Sequence, residues 1–218
     1  MSNNWLIIFD CDGILVDSEK IANQVFIEQV KELGVHLDEE EAWEHFPGTS
    51  LASCIAYVEN HYAARLPEDF EPEYRVRTKE AFKRFLKPIP GIADALDQIT
   101  QKKCVASNGP AYMVEFNLKN TGLLSYFKDR IFSAHDIKKW KPDPALFLHA
   151  ADTCGFGVER TIVVEDSPAG ITGANAAGMQ VFAYIPNHHS SANKTFATRS
   201  FSDMSELPEL IHATISGS

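Results

Sequence analysis

The chain opens with an apolar run, Trp5-Leu6-Ile7-Ile8-Phe9, that stops abruptly on Asp10-Cys11-Asp12-Gly13. Consecutive large apolar side chains from Leu6 to Phe9 predict a strand buried on both faces. From about residue 90 onward, short β-rich runs alternate with helical stretches. The strands expected are Lys103–Ala106, Arg130–Phe132, Thr161–Val164 and Gln180–Ala183, with helices near 111–120, 144–154 and 168–178. This alternation predicts an α/β fold with a doubly wound, Rossmann-like parallel sheet.

Between residues 17 and 86 the pattern changes and no such strands are expected. Ala22, Phe26, Val30 and Leu33 recur at helical spacing, as do Leu51, Ile55, Val58 and Tyr62. Both sets predict amphipathic helices. The expected organisation is therefore a core of residues 1–16 and 87–218, interrupted by an all-helical insert, 17–86, that caps the sheet's carboxyl edge. The turn Lys87-Pro88-Ile89-Pro90-Gly91 marks the return to the core. Ser167-Pro168 and Asp143-Pro144 each place an N-cap residue before a proline. The helix from 168 is rich in small residues, and its glycines imply close packing.

Composition narrows the class. The 218 residues are 44% hydrophobic and 23% charged, as in an ordinary globular protein. The net charge of −10 argues against nucleic-acid binding and against anionic membranes. No stretch reaches the roughly 20 apolar residues of a membrane helix, and the N-terminus lacks a signal-peptide pattern. Cys11, Cys54, Cys104 and Cys154 are widely spread, which fits reduced thiols and a cytoplasmic location. A monomer is expected, with a dimer left open.

The candidate chemistry lies at the strand ends. The first strand offers Asp10 and Asp12, the second Ser107-Asn108-Gly109, and the strand from Thr161 offers Glu165-Asp166-Ser167. Trp140-Lys141-Pro142 adds a lysine in a proline-stiffened loop. Taken singly, each has an ordinary explanation: a turn, a helix cap, a solvated cation. Taken together they form the set that phosphoryl transfer requires. Asp10 would be the nucleophile and Asp12 the acid and base. Ser107 and Asn108 would donate hydrogen bonds to phosphoryl oxygens, and Lys141 would neutralise charge. Asp10, Asp12 and Asp166, with Glu165 beside it, would provide oxygens for Mg²⁺. Adjacent residues at a strand end point to opposite sides, which favours Asp166 over Glu165 as a direct ligand.

Other sites do not fit. An EF-hand loop would need an oxygen ligand where Ile14 stands, and neither a P-loop nor a dinucleotide fingerprint occurs. His188-His189 lies in a polar stretch with no third ligand nearby.

In this order the segments resemble the haloacid dehalogenase superfamily. Phe9 to Glu19 is similar to its first motif, Ser107 to its second, Lys141 to its third and Glu165-Asp166 to its fourth. The resemblance implies a mobile helical cap that selects substrate, with Pro47-Gly48-Thr49-Ser50 facing the active site and Gly48 and Thr49 contacting substrate. The second aspartate, Asp12, implies a Mg²⁺-dependent phosphatase or phosphomutase rather than a metal-free dehalogenase. Ala22 and Leu51 stand where the β-phosphoglucomutase branch carries a cap histidine and arginine, which favours hydrolysis over intramolecular transfer. The Ser107 and Lys141 motifs look like those of the bacterial 6-phosphogluconate phosphatase group. The expected function is hydrolysis of a small phosphorylated metabolite, a sugar or sugar-acid phosphate, through an aspartyl-phosphate. The alternatives are a phosphomutase and a catalytically idle relative that binds a phosphometabolite.

Overall fold

A computed structural model describes residues 4–46, 49–186 and 196–217. The chain divides into two units, one running to Val16 and resuming at Pro88, the other Asp17–Lys87.

The first unit is built on a six-stranded, wholly parallel sheet of order β3-β2-β1-β4-β5-β6. Its strands are β1 (Leu6–Phe9), β2 (Lys102–Ser107), β3 (Ile131–Ser133), β4 (Thr161–Glu165), β5 (Gln180–Tyr184) and β6 (Arg199–Phe201). β1 lies near the centre, between β2 and β4, and its four residues are fully buried. The strand order reverses beside β1, and at such a switch point the strand ends splay into a crevice. Leu6 and Ile8 share a core with Cys104, Ala106, Phe147, Val163 and Ile171. Sheet ends and helix starts sit within a residue or two of expectation, with β3 shifted by one.

The strand pair β5–β6 was not anticipated. β6 is three residues long, with only Phe201 buried, too brief to leave a periodic signal. After four helices in the other unit, this unit carries α5 (Ile92–Gln98), α6 (Ala111–Asn120), α7 (Leu124–Phe127), α8 (Ala134–Ile137), α9 (Ala145–Cys154), α10 (Pro168–Ala176) and α11 (Leu207–Ser216). Among those that pack on the strands are α6, α9 and α10. Ser167 caps α10 as expected, accepting from Gly170 N with Pro168 in the first turn. At α9 the cap position belongs to Pro144, one residue later than expected, while the Asp143 carboxylate still accepts from Ala145 N at 2.9 Å.

The second unit contains α1 (Glu19–Glu32), α2 (Glu39–His45), α3 (Leu51–His61) and α4 (Phe70–Phe85). Phe26 organises its core, meeting Phe46, Phe70 and Tyr74 edge-on at 5.1–5.9 Å between ring centroids. Of the expected stripe on α1, Phe26 and Val30 are buried, but Leu33 is 47% exposed because the helix has already ended there. Among the described residues no helix is long and apolar enough to cross a membrane.

Candidate active site

The carboxyl ends of β1, β2 and β4 are neighbours by register: Phe9 pairs with Val105 on one side and Val164 on the other. Asp10 extends this ladder, its N–H donating to Val164 O at 3.0 Å. The backbone then curls, with Gly13 N reaching Val16 O at 2.9 Å and Gly13 at φ +81°. That conformation favours glycine, and so does the space. A Cβ on Gly13 would lie 2.0 Å from Asp166 Oδ2. The missing side chain is thus where the Asp166 carboxylate approaches the Asp10 loop.

Lys141 joins the strands. Its ammonium donates to Asp10 Oδ1 and, at 2.7 Å, to Glu165 Oε1, and it lies 5.0 Å from the Phe147 ring centroid. Only 3% of the lysine side chain is exposed, so the charge is viable only because it is paired. The following Lys141–Pro142 peptide bond is cis. Burial opposes the lysine's charge, but Asp10 and Glu165 outweigh it and raise its pKa. Burial also pushes the Asp10 carboxyl up to about 7, against the pull of Lys141 and reinforced by Glu165 and Asp12.

Glu165 is completely buried. One of its oxygens accepts from Lys141, the other from Asp166 N, Ser167 N and Ser167 Oγ, each at 2.9 Å. Helix α10 makes room for this arrangement through its glycines. A Cβ on Gly170 would fall 1.8 Å from Glu165 Oε1, and one on Gly173 would fall 3.1 Å from Pro142 O. The small-residue pattern of α10 therefore serves the site as well as the sheet.

Ser107 is buried at the end of β2, and its Oγ accepts from Gly109 N at 3.0 Å. Asn108 Oδ1 accepts from Lys141 N at 2.9 Å. Asp10, Ser107, Asn108, Lys141, Glu165 and Asp166 thus belong to one connected edge of the sheet. Thr49 lies in the other unit, where its hydroxyl donates to Phe46 O at 2.8 Å. Gly48 lies outside the described residues, as do His188 and His189.

A cation is the natural complement of this edge. Ligand oxygens of Asp10, Glu165 and Asp166 lie within 4.8 Å of one another, and carboxylates suit a hard divalent ion. Both Glu165 oxygens and Asp10 Oδ1 already accept hydrogen bonds, and the carboxylates of Asp10, Glu165 and Asp166 are the ones that could hold such an ion. Asp12, just beyond Asp10, is not part of that tight set. Sequence reasoning missed Gly170, whose missing side chain leaves room for the Glu165 carboxylate, and Phe147, whose ring lies against the Lys141 ammonium, because both contacts depend on tertiary packing. It also missed Ser133. The available signal was an apolar run ending on a serine, as β2 ends on Ser107.

The family model for haloacid dehalogenase-like hydrolases matches residues 7–184. The chain belongs to this family. Among family relatives, the 6-phosphogluconate phosphatase of Escherichia coli (strain K12) is 37% identical over 211 residues, covering 96% of each chain. A haloacid dehalogenase-like protein of unknown function from Agrobacterium tumefaciens shares 36% identity at a TM-score of 0.85, covering 96% of this chain and 98% of that one. A family hydrolase from Deinococcus radiodurans, solved with bound phosphate and sodium, is 27% identical at a TM-score of 0.81, covering 99% of this chain and 98% of that one.

Proposed function

We propose that this haloacid dehalogenase-like hydrolase is a Mg²⁺-dependent phosphatase that cleaves a sugar phosphate or sugar-acid phosphate, 6-phosphogluconate being the leading candidate. The observation that carries the reading is the buried Lys141 ammonium shared between Asp10 and Glu165, with Asp166 alongside. The 6-phosphogluconate phosphatase relative supports the substrate class.

In this reading Asp10 attacks phosphorus, forming an acyl phosphate as the bond to the leaving alkoxide oxygen breaks. Asp12 gives its proton to that oxygen, then takes one from the water that attacks the acyl phosphate. Inorganic phosphate leaves and the Asp10 carboxylate is restored. Lys141 offsets negative charge on Asp10 and on the phosphoryl group, while Ser107 donates to a phosphoryl oxygen. Mg²⁺ held by Asp10 and Asp166 supplies further charge neutralisation when bound. Selection among metabolites is assigned to the helical unit, with Gly48 and Thr49 as its candidate substrate-binding residues, and the enzyme to the cytoplasm.

The test is phosphate release from a panel of sugar phosphates, sugar-acid phosphates and nucleotides, with Mg²⁺ or with excess chelator. Release from the first two classes, lost with chelator and in Asp10→Asn, is expected. Normal turnover by Asp10→Asn would overturn the mechanism, and a preference for nucleotides would overturn the substrate class. Phosphorus NMR on the same mixtures separates hydrolysis from mutase chemistry, since an isomerised sugar phosphate would replace free phosphate.

A further inference from the structure

We propose that Ser133, at the end of β3, is a positioning residue that holds the Ser107–Gly109 loop and, through Asn108, the backbone of Lys141. This rests on the phosphatase reading above and assigns a role to a strand end outside the set of reacting groups.

Ser133 is 1% exposed and pairs in register with Ser107. Its hydroxyl donates to Gly109 O at 2.7 Å and accepts from His135 N at 3.1 Å. Gly109 is held on its other side as well, its N–H donating to Ser107 Oγ at 3.0 Å. Because Ser107 Oγ is the acceptor in that bond, its own proton remains to be donated elsewhere. Asn108, between these two anchored residues, accepts from Lys141 N at 2.9 Å. The donor there is a backbone N–H, so the amide must present its oxygen, and the side chain has a single orientation.

Two hydrogen bonds therefore tie Ser133 to Gly109 O and Asn108 to Lys141 N, with the covalent Asn108–Gly109 backbone between them, and the Lys141 side chain continues the path to Asp10. The loop bearing Lys141 belongs to no strand, so its register relative to Asp10 depends on such ties. Misplacement of a catalytic group by a fraction of an ångström is costly for positioning-dominated phosphoryl transfer. Ser133 also begins the short helix Ala134–Ile137 as its cap. A role limited to capping would show in melting temperature and leave turnover by the folded enzyme unchanged.

The experiment compares the parent chain with Ser133→Ala and Ser133→Thr, measuring kcat and KM for phosphate release at saturating Mg²⁺, together with thermal melting. Ser133→Ala is expected to lose about tenfold or more in kcat with a smaller change in KM, at temperatures where it is fully folded. Ser133→Thr, which keeps the hydroxyl, should recover most of that loss. A Ser133→Ala kcat within about twofold of the parent's would overturn the proposal, as would equal impairment of the alanine and threonine variants. If Ser133→Ala does not fold, Ser133→Cys, with a much weaker donor, is read by the same criteria. If the parent itself releases no phosphate from any member of the panel, the phosphatase reading falls, and the positioning role with it. An active parent with an unimpaired variant removes the positioning role alone.

Discussion

Gly170→Ala separates the local rule from the tertiary one. In a helix this change ordinarily stabilises, by up to about 1 kcal/mol. Here the sign reverses. The new Cβ would sit 1.8 Å from Glu165 Oε1 and 2.0 Å from its Cδ, far inside the roughly 3.5 Å at which non-bonded atoms are comfortable. Glu165 is fully buried and fastened by Lys141 Nζ, Asp166 N, Ser167 N and Ser167 Oγ. The atom the new Cβ strikes first, Oε1, is the one that accepts from Lys141 Nζ, so making room for a methyl group pulls the carboxylate off Lys141. Breaking a buried ion pair on one side costs about 3–5 kcal/mol, so the net loss is about 3 kcal/mol after the helix gain. For a chain of this size that lowers the melting temperature by about 6–12 °C. Thermal melting followed by circular dichroism, with phosphate release measured on the folded protein, provides the check. Turnover should fall along with stability, because Lys141 loses one of its two carboxylate partners. A Gly170→Ala protein at least as stable as the parent and fully active would refute the clasp between α10, Glu165 and Lys141.

Other outcomes follow from the same geometry. Lys141→Ala should abolish turnover and lower stability by about 3–5 kcal/mol near neutral pH, because two buried carboxylates lose their counter-charge. Denaturant unfolding checks this, and unchanged stability would mean the ammonium is poorly paired in solution. Lys141→Arg should also be inactive, since the planar guanidinium cannot reproduce a point charge between Asp10, Glu165 and the Phe147 ring. Gly13→Ala forces an unfavourable φ and pushes on Asp166. Its Mg²⁺ titration should shift to at least about tenfold higher concentration, and a parent-like titration would contradict the packing of Asp166 against the first loop.

Much of this edge was legible because its parts are local. The apolar stretch Leu6–Phe9 can hardly be other than a buried strand, and Asp10 and Asp12 terminate it without ambiguity. Ser167-Pro168 announces α10 by chemistry that works within one turn. The helical unit was legible in part, for a physical reason. Helix α2, Glu39–His45, is charged along most of its length, and α4 is laced with exposed i,i+4 pairs such as Glu71–Arg75 and Glu73–Arg77, so neither shows a clean apolar stripe. Leu33 followed the stripe but fell beyond the helix end. What distinguishes Glu165 from Asp166 was only half visible. Strand alternation separates their directions, but that Glu165 turns inward to Lys141 depends on a loop 24 residues earlier in the chain. The space left by Gly170 is likewise a property of two elements packed together. The serine that ends β3 is visible in the sequence, but that it lies beside Ser107 depends on which strand neighbours β2, and the sequence does not state that locally.

The central claim is that Asp10 carries the phosphoryl group during turnover. The most direct measurement is an acid quench of the enzyme mixed with excess sugar-acid phosphate and Mg²⁺, followed by borohydride reduction and mass spectrometry of the peptide containing residue 10. Reduction of an acyl phosphate to the alcohol at residue 10 is the expected result, with no such product in Asp10→Asn. Active enzyme that yields only unmodified Asp10, with the phosphoryl group or the reduced product at another residue, would contradict it.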